Sequence, residues 1–207
     1  MKAAPELPNG YVPYDHINLQ QDKKAAMKVN LPAVLALAAM LLLGNFAFVP
    51  VSVILNSSMS LSGVLIRLAV MLLGYFAYIV LHELTHAAVM KLFGAEKIRF
   101  GLTPLYAFAG SERDYFGKGA YRAIALAPLV VWTLLLTVPL LFLPSDWFWT
   151  VYFIQCGNIA GCAGDIYVTL RMLKAPSDVL IMDTGVEMFV YSDGKGRLCQ
   201  QISDKIS

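Results

Sequence analysis

The stretch LAVMLLGYFAYIVLHELTHAAVMKLF, residues Leu68 to Phe93, decides the architecture. It exceeds the roughly 20 apolar residues that a bilayer-spanning helix needs, yet His82, Glu83 and His86 stand near its end. Ionisable side chains are costly in hydrocarbon, and they mark a site that uses them. Helical positions four apart share a face, so His82-Glu83-Leu84-Thr85-His86 aims two imidazoles the same way, one turn apart. This H-E-x-x-H spacing suits a zinc ion held by both rings, with the glutamate beside the metal and placed to take a proton from water. The chain has three histidines, and two of them are here.

At 207 residues, 58% hydrophobic and 14% charged, the chain is too apolar for an ordinary water-soluble domain. Four apolar runs reach spanning length: Leu31 to Leu55, Leu68 to Phe93, Ala120 to Leu143 and Trp147 to Leu173. The first is too long for a signal-peptide core and follows a polar segment, so it reads as a retained anchor. Basic residues then fix the orientation. Lys2, Lys23, Lys24 and Lys28 precede the first run; Lys91, Lys97, Arg99, Arg113, Lys118 and Arg122 lie at or between the second and third; Arg171, Lys174, Lys195, Arg197 and Lys205 close the fourth. A four-span path puts all of these on one side and leaves Arg67 alone on the other. By the positive-inside rule, both termini and the middle loop are cytosolic. Trp147, Trp149 and Tyr152 stand at the level of the outer aromatic belt. The expected class is an all-α, multi-pass protein of the cell membrane: a four-helix transmembrane bundle with a short re-entrant or interfacial loop and a small cytosolic β-hairpin tail.

The organisation reads as a cytosolic leader (1–30), a four-span membrane domain (31–174) and a β-rich cytosolic tail (175–207). Pro5, Pro8, Gly10 and Pro13 make the leader irregular, with His16 a solvated side chain. Ile98 to Gly110 is too short to span and too apolar for a simple loop; it forms either a hairpin dipping into the cytosolic leaflet or an interfacial loop on the bundle. Val179 to Met182 and Val186 to Tyr191 read as two strands joined through Asp183-Thr184-Gly185, with a second turn at Ser192 to Gly196. The net charge of +2 gives no reason to expect nucleic acid as a partner, and Cys156, Cys162 and Cys199 give no disulfide framework.

A catalytic zinc takes three protein ligands and leaves a position for water, so a third ligand must join His82 and His86. Asp165 is the candidate, being the one acidic residue besides Glu83 inside a run. Counted from the cytosolic ends Phe93 and Leu173, both elements lie roughly 10–16 Å deep at about 1.5 Å per residue. The alternatives are an Asp165 paired with Arg171, and Glu112 of the middle loop as the third ligand. Cys162 is a further possible ligand, or simply a lining residue. Asn158, Cys162, Asp165 and Thr169 form one polar stripe. Asn158 either orients a substrate amide or bonds across helices. Gly157, Gly161 and Gly164 admit close packing, here against the second run.

An H-E-x-x-H span, a short middle loop, a span carrying N-x-x-G-x-x-G-D (Asn158 to Asp165) and a strand-rich tail together resemble the membrane zincin peptidases, related in style to site-2 proteases. The resemblance covers nearly all of the chain after the leader. It implies zinc as cofactor, His82, His86 and Asp165 as its ligands, and Glu83 as catalytic base. Site-2 proteases proper place the ligating aspartate before a glycine in a proline-containing segment, whereas Gly164 precedes Asp165 here.

The expected function is intramembrane zinc proteolysis, in which water adds to a peptide bond of a membrane protein or peptide and the lipid bilayer surrounds the enzyme. The alternative is a zinc-binding, non-proteolytic membrane scaffold or regulator, against which the intact Glu83 argues. A transporter with an in-membrane His/Asp/Glu site is disfavoured by the lack of an internal repeat. Substrate identity and oligomeric state are not written in the sequence.

Overall fold

The apolar runs fold as helices because nothing in them competes with the intrahelical ladder, and polar caps set where they begin. A computed structural model describes residues 2–55, 60–102 and 107–194. Helix α1 is Lys23–Leu43, α2 is Leu61–Leu92, α3 is Lys118–Leu140, α4 is Ser145–Gly161 and α5 is Ala163–Leu173. The Asp22 carboxylate accepts from the amides of Lys24 and Ala25 at 2.9 and 3.0 Å, starting α1 eight residues before the apolar run. Ser60 accepts from Gly63 at the start of α2. A π-helical turn, Gly44–Phe48, extends α1.

Among the described residues, three helices are long and apolar enough to cross a membrane: Lys23–Phe48, Leu61–Leu92 and Lys118–Leu140. The fourth expected run is not a single helix. Residues 147–173 belong to two helices of 17 and 11 residues that meet at Cys162. Gly161 and Gly164 flank that break, and glycine is among the poorest helix formers. Residues 56–59 and 103–106, and Lys195, Arg197, Cys199 and Lys205, lie outside the described residues.

The chain is mostly helical, as expected, but carries more strand than the tail hairpin. Among the described residues there are six strands: β1 (Val12–Ile17), β2 (Arg99–Leu102), β3 (Ala107–Gly110), β4 (Phe116–Gly117), β5 (Leu180–Asp183) and β6 (Met188–Ser192). Strands β2 and β3 pair antiparallel within Ile98 to Gly110, as in the hairpin alternative for that stretch. The tail hairpin β5–β6 belongs to a four-stranded antiparallel sheet of order β1-β6-β5-β4. The leader thus contributes an edge strand, where Pro13 is tolerated because an edge N–H needs no sheet partner.

Contacts divide the chain into two units. Unit 1 comprises Met1–Ala26, Glu83–Ala127 and Asp165–Ser207. Its core joins Ile17, Met90, Phe116, Ile124, Met172 and Ile181, all at most 4% exposed. Asp15 of β1 holds Arg171 of α5 through two hydrogen bonds of 2.7 and 2.6 Å. His16 is exposed, as expected, while its ring stacks on Phe189 and meets Glu187 at 3.1 Å. Lys118 donates to the carbonyls of Leu173 and Ala175, closing the end of α5.

Unit 2 comprises Met27–His82 and Pro128–Gly164. Phe148, Trp149, Tyr152 and Cys156 of α4 pack with Leu37, Met40 and Leu41 of α1. Two polar edges of this cluster are satisfied by backbone, Trp149 Nε1 on the Val49 carbonyl and Tyr152 on that of Met40. Helices α2 and α4 approach closely at Gly157, where a Cβ would lie 2.3 Å from the Tyr75 ring, and at Gly74, where it would lie 2.8 Å from Ile154. The expected contact at Gly161 is corrected: a Cβ there would meet nothing within 4 Å. Arg67 pairs with Asp146 at 3.0 Å and lies over the Trp147 ring.

Two outcomes test this account. Gly157→Ala drives a methyl into Tyr75 and should destabilise the protein by about 1–3 kcal/mol in a denaturation measurement. Asp15→Ala should cost about 1 kcal/mol, as the pair is partly exposed, and should speed hydrogen exchange of 12–17.

Candidate metal centre

Helix α2 carries His82, Glu83 and His86 on one turn, and their ligand atoms all lie within 4.8 Å of one another. The two rings are nearly inaccessible, at 9% and 8% exposure, so the nitrogen of each ring that faces away from a metal must find a protein partner. Both do. In unit 2 the Tyr78 hydroxyl, one turn before His82 on the same helix, donates to Asn158 Oδ1 at 3.0 Å. Its oxygen lies 3.0 Å from His82 Nδ1. A hydroxyl has one proton, and Asn158 receives it; the proton of the second contact therefore belongs to His82, and Nδ1–H donates to Tyr78. Asn158 Nδ2 in turn donates to Thr133 at 3.0 Å and to Gln155 at 3.4 Å.

In unit 1 His86 Nδ1 stands 2.9 Å from the Ile124 carbonyl of α3. A carbonyl only accepts, so His86 also carries its proton on Nδ1. Both imidazoles are thereby fixed in the tautomer that puts the lone pair on Nε2, the nitrogen suited to a metal. Asp165, in the first turn of α5, has Oδ1 3.4 Å from His86 Nε2. Two Nε2 lone pairs and a carboxylate are a donor set that fits zinc.

Two alternatives of the sequence reading meet other partners, while Cys162 stays a candidate ligand, its Sγ grouping with His82 and Asp165 within 4.8 Å. Arg171 is held by Asp15. Glu112 pairs with Arg99 and is half exposed. Asn158 is fully buried, and its contacts are the cross-helix ones. Cys162 is fully buried at the α4–α5 break, its Sγ 3.8 Å from Asn158 Oδ1.

Several residues around the site were not identified from sequence. Tyr78 had a signal, as a tyrosine four residues before His82 on one helical face. Tyr121 and Asp183 had none, because they are 62 residues apart. The Asp183 carboxylate accepts from the Tyr121 hydroxyl at 2.6 Å and from Gly185 N at 2.8 Å. Burial raises this carboxyl above its ordinary range, against the lowering effect of those two hydrogen bonds. Its backbone carbonyl accepts from Ser111 N at 2.6 Å. Beside it Gly110 comes so near the β5–β6 turn that a Cβ would fall 2.1 Å from Thr184. One residue of β5 therefore ties the exit of the β2–β3 hairpin to the turn of α3 just before Ile124.

Tyr78→Phe removes the acceptor of His82 Nδ1 and the donor to Asn158 in one step. Zinc affinity, read by competition with a chelator, should fall about ten-fold or more.

No curated protein and no solved structure matches the chain. Residues 75–180 match a family described as "Putative zincin peptidase". The matched segment runs from the turn of Tyr78 through H-E-x-x-H, α3 and Asp165 to the first residue of β5, and it covers more than half of the chain. This protein belongs to that zincin peptidase family.

Proposed function

We propose that the protein is an intramembrane zinc endopeptidase, similar in style to site-2 proteases, that hydrolyses a peptide bond of a membrane protein or peptide. The observation that carries this reading is the pair of fixed tautomers. His82 and His86 each commit Nδ1–H to a buried acceptor, within a helix apolar enough to cross a membrane. His82, His86 and Asp165 hold the zinc, and Glu83 is the base. Asn158 acts by orienting His82 through Tyr78. Both termini and the middle loop are cytosolic, in the cell membrane. The broken pair α4–α5 forms the fourth crossing.

Bound zinc supplies Lewis acidity, which sharpens the acidity of water and the electrophilicity of a peptide carbonyl. Glu83 accepts a proton from the attacking water as the new C–O bond forms, and delivers it to the amide nitrogen as the C–N bond breaks. A helical peptide bond has its carbonyl tied to an N–H four residues on, so the substrate has to unwind locally. Strand β2 offers a template for the unwound segment. It pairs with β3 along one edge, has no other strand partner among the described residues, and exposes Phe100 and Leu102.

The decisive experiment separates metal from base. Glu83→Gln keeps size and hydrogen bonding but not the proton acceptor, so zinc should remain while cleavage falls by about 10²–10⁴-fold. His86→Ala and Asp165→Asn should weaken zinc and activity together. A Glu83→Gln variant that cleaves a membrane substrate as fast as the parent would remove the protease reading, leaving the non-proteolytic zinc scaffold. For topology, cysteines introduced at Glu6 and Ser60 should label from opposite sides of the membrane; labelling from one side contradicts the proposed path.

A further inference from the structure

We propose that Pro128 is a positioning residue of the metal centre: having no N–H, it reserves the Ile124 carbonyl for His86 Nδ1–H and so fixes the tautomer in which His86 binds metal. The proposal rests on the zinc reading above and concerns residues that reading does not use.

In an α-helix the carbonyl of residue i points along the axis at the N–H of residue i+4. For Ile124 that residue is Pro128, in the interior of α3. Proline offers no proton, and its ring crowds the carbonyl four residues back and tilts it away from the axis. A helical carbonyl that points along the axis is badly aimed for a donor arriving from the side, and a tilted one is well aimed. The donor in place is His86 Nδ1, at 2.9 Å. Ile124 is 1% exposed and Pro128 is fully buried, so water is a poor substitute for either partner. Proline in a helix interior is the least favourable residue for helix stability. At this position its unfavourable feature, the missing donor, is what the imidazole needs. The same helix carries a second interior proline, Pro139, which stands in the same relation to Leu135 near the far end of α3 and makes an internal control.

The test uses the full chain in nanodiscs, with Pro128→Ala, Pro139→Ala, and Pro128 replaced by lactate, the α-hydroxy acid counterpart of alanine. Alanine restores an N–H, whereas lactate has the alanine side chain and no N–H. Three readouts are taken: zinc affinity by chelator competition, melting temperature of the metal-free protein, and the tautomers by ¹⁵N-histidine NMR, tractable with three histidines in the chain. Pro128→Ala should weaken zinc about ten-fold and replace the single Nδ1–H form of His86 by a mixture, while the metal-free protein melts no lower than the parent. Lactate should return both zinc affinity and tautomer towards the parent, and Pro139→Ala should leave both unchanged. A Pro128→Ala variant with parental zinc affinity and a single Nδ1–H tautomer overturns the proposal. So does an equal loss in the alanine and lactate proteins, which would assign the effect to the lost ring. If Pro128→Ala fails to fold, lactate with parental affinity and tautomer upholds the proposal and lactate without them overturns it. A parent that binds no zinc fails the zinc reading instead, and the tautomer of the metal-free protein still decides the role of Pro128.

Discussion

An imidazole has two nitrogens, and a metal uses one. The other remains a polar group, and on a helix built from leucine, valine, alanine and tyrosine there is little water to receive it. Leaving a buried donor unpaired costs about 1–3 kcal/mol, so each histidine of α2 requires an acceptor from a neighbouring element. Much of the remaining structure answers that requirement. His82 is served within unit 2 by a relay of Tyr78, Asn158 and Thr133, which also draws α2, α3 and α4 together. His86 is served within unit 1 by a backbone carbonyl of α3, and the same unit supplies the carboxylate of Asp165 to the ring's other nitrogen. The family match begins three residues before Tyr78, so the segment that defines the family includes the partner as well as the motif.

The sequence made legible what depends on local spacing. Four residues between His82 and His86 put both on one helical face whatever surrounds them. The shared depth of Asp165 and the histidines follows from the rise per residue, and Asp165 does meet His86. Features set by distant partners were hidden. Arg171 seemed free to choose Asp165, but its partner is Asp15, 156 residues earlier, in a strand that proline and glycine disguised as an irregular leader. Strand β1 exists because β6 is there to pair with it, and no local signal carries that information. Hydropathy averaged over Trp147 to Leu173 concealed the break at Cys162, because glycine is permissive in such an average and poor in a helix. Which of the two α4 glycines, Gly157 or Gly161, touches α2 depends on the rotation of α4; Tyr75 selects Gly157.

Asp183 shows how little of the molecule separates the tail from the chemistry. Its carboxylate holds Tyr121, and its carbonyl holds the exit of the β2–β3 hairpin. A β-rich tail that reads in sequence as an appendage is, in unit 1, a brace for the helical turn that leads to Ile124.

The pairing of β1 with β6 has a consequence for biosynthesis. Val12–Ile17 is translated well before Met188–Ser192, so the edge strand has no partner until the intervening helices have been made. Asp15 likewise waits for Arg171, and Tyr121 for Asp183. The histidine-bearing turn lies inside a single helix and can form without these partners, whereas the carboxylate of Asp165 and the strands β5 and β6 follow it in the chain. Order of synthesis thus separates the two in time: the turn of α2 that carries H-E-x-x-H is translated before Asp165 and the β5–β6 hairpin of unit 1.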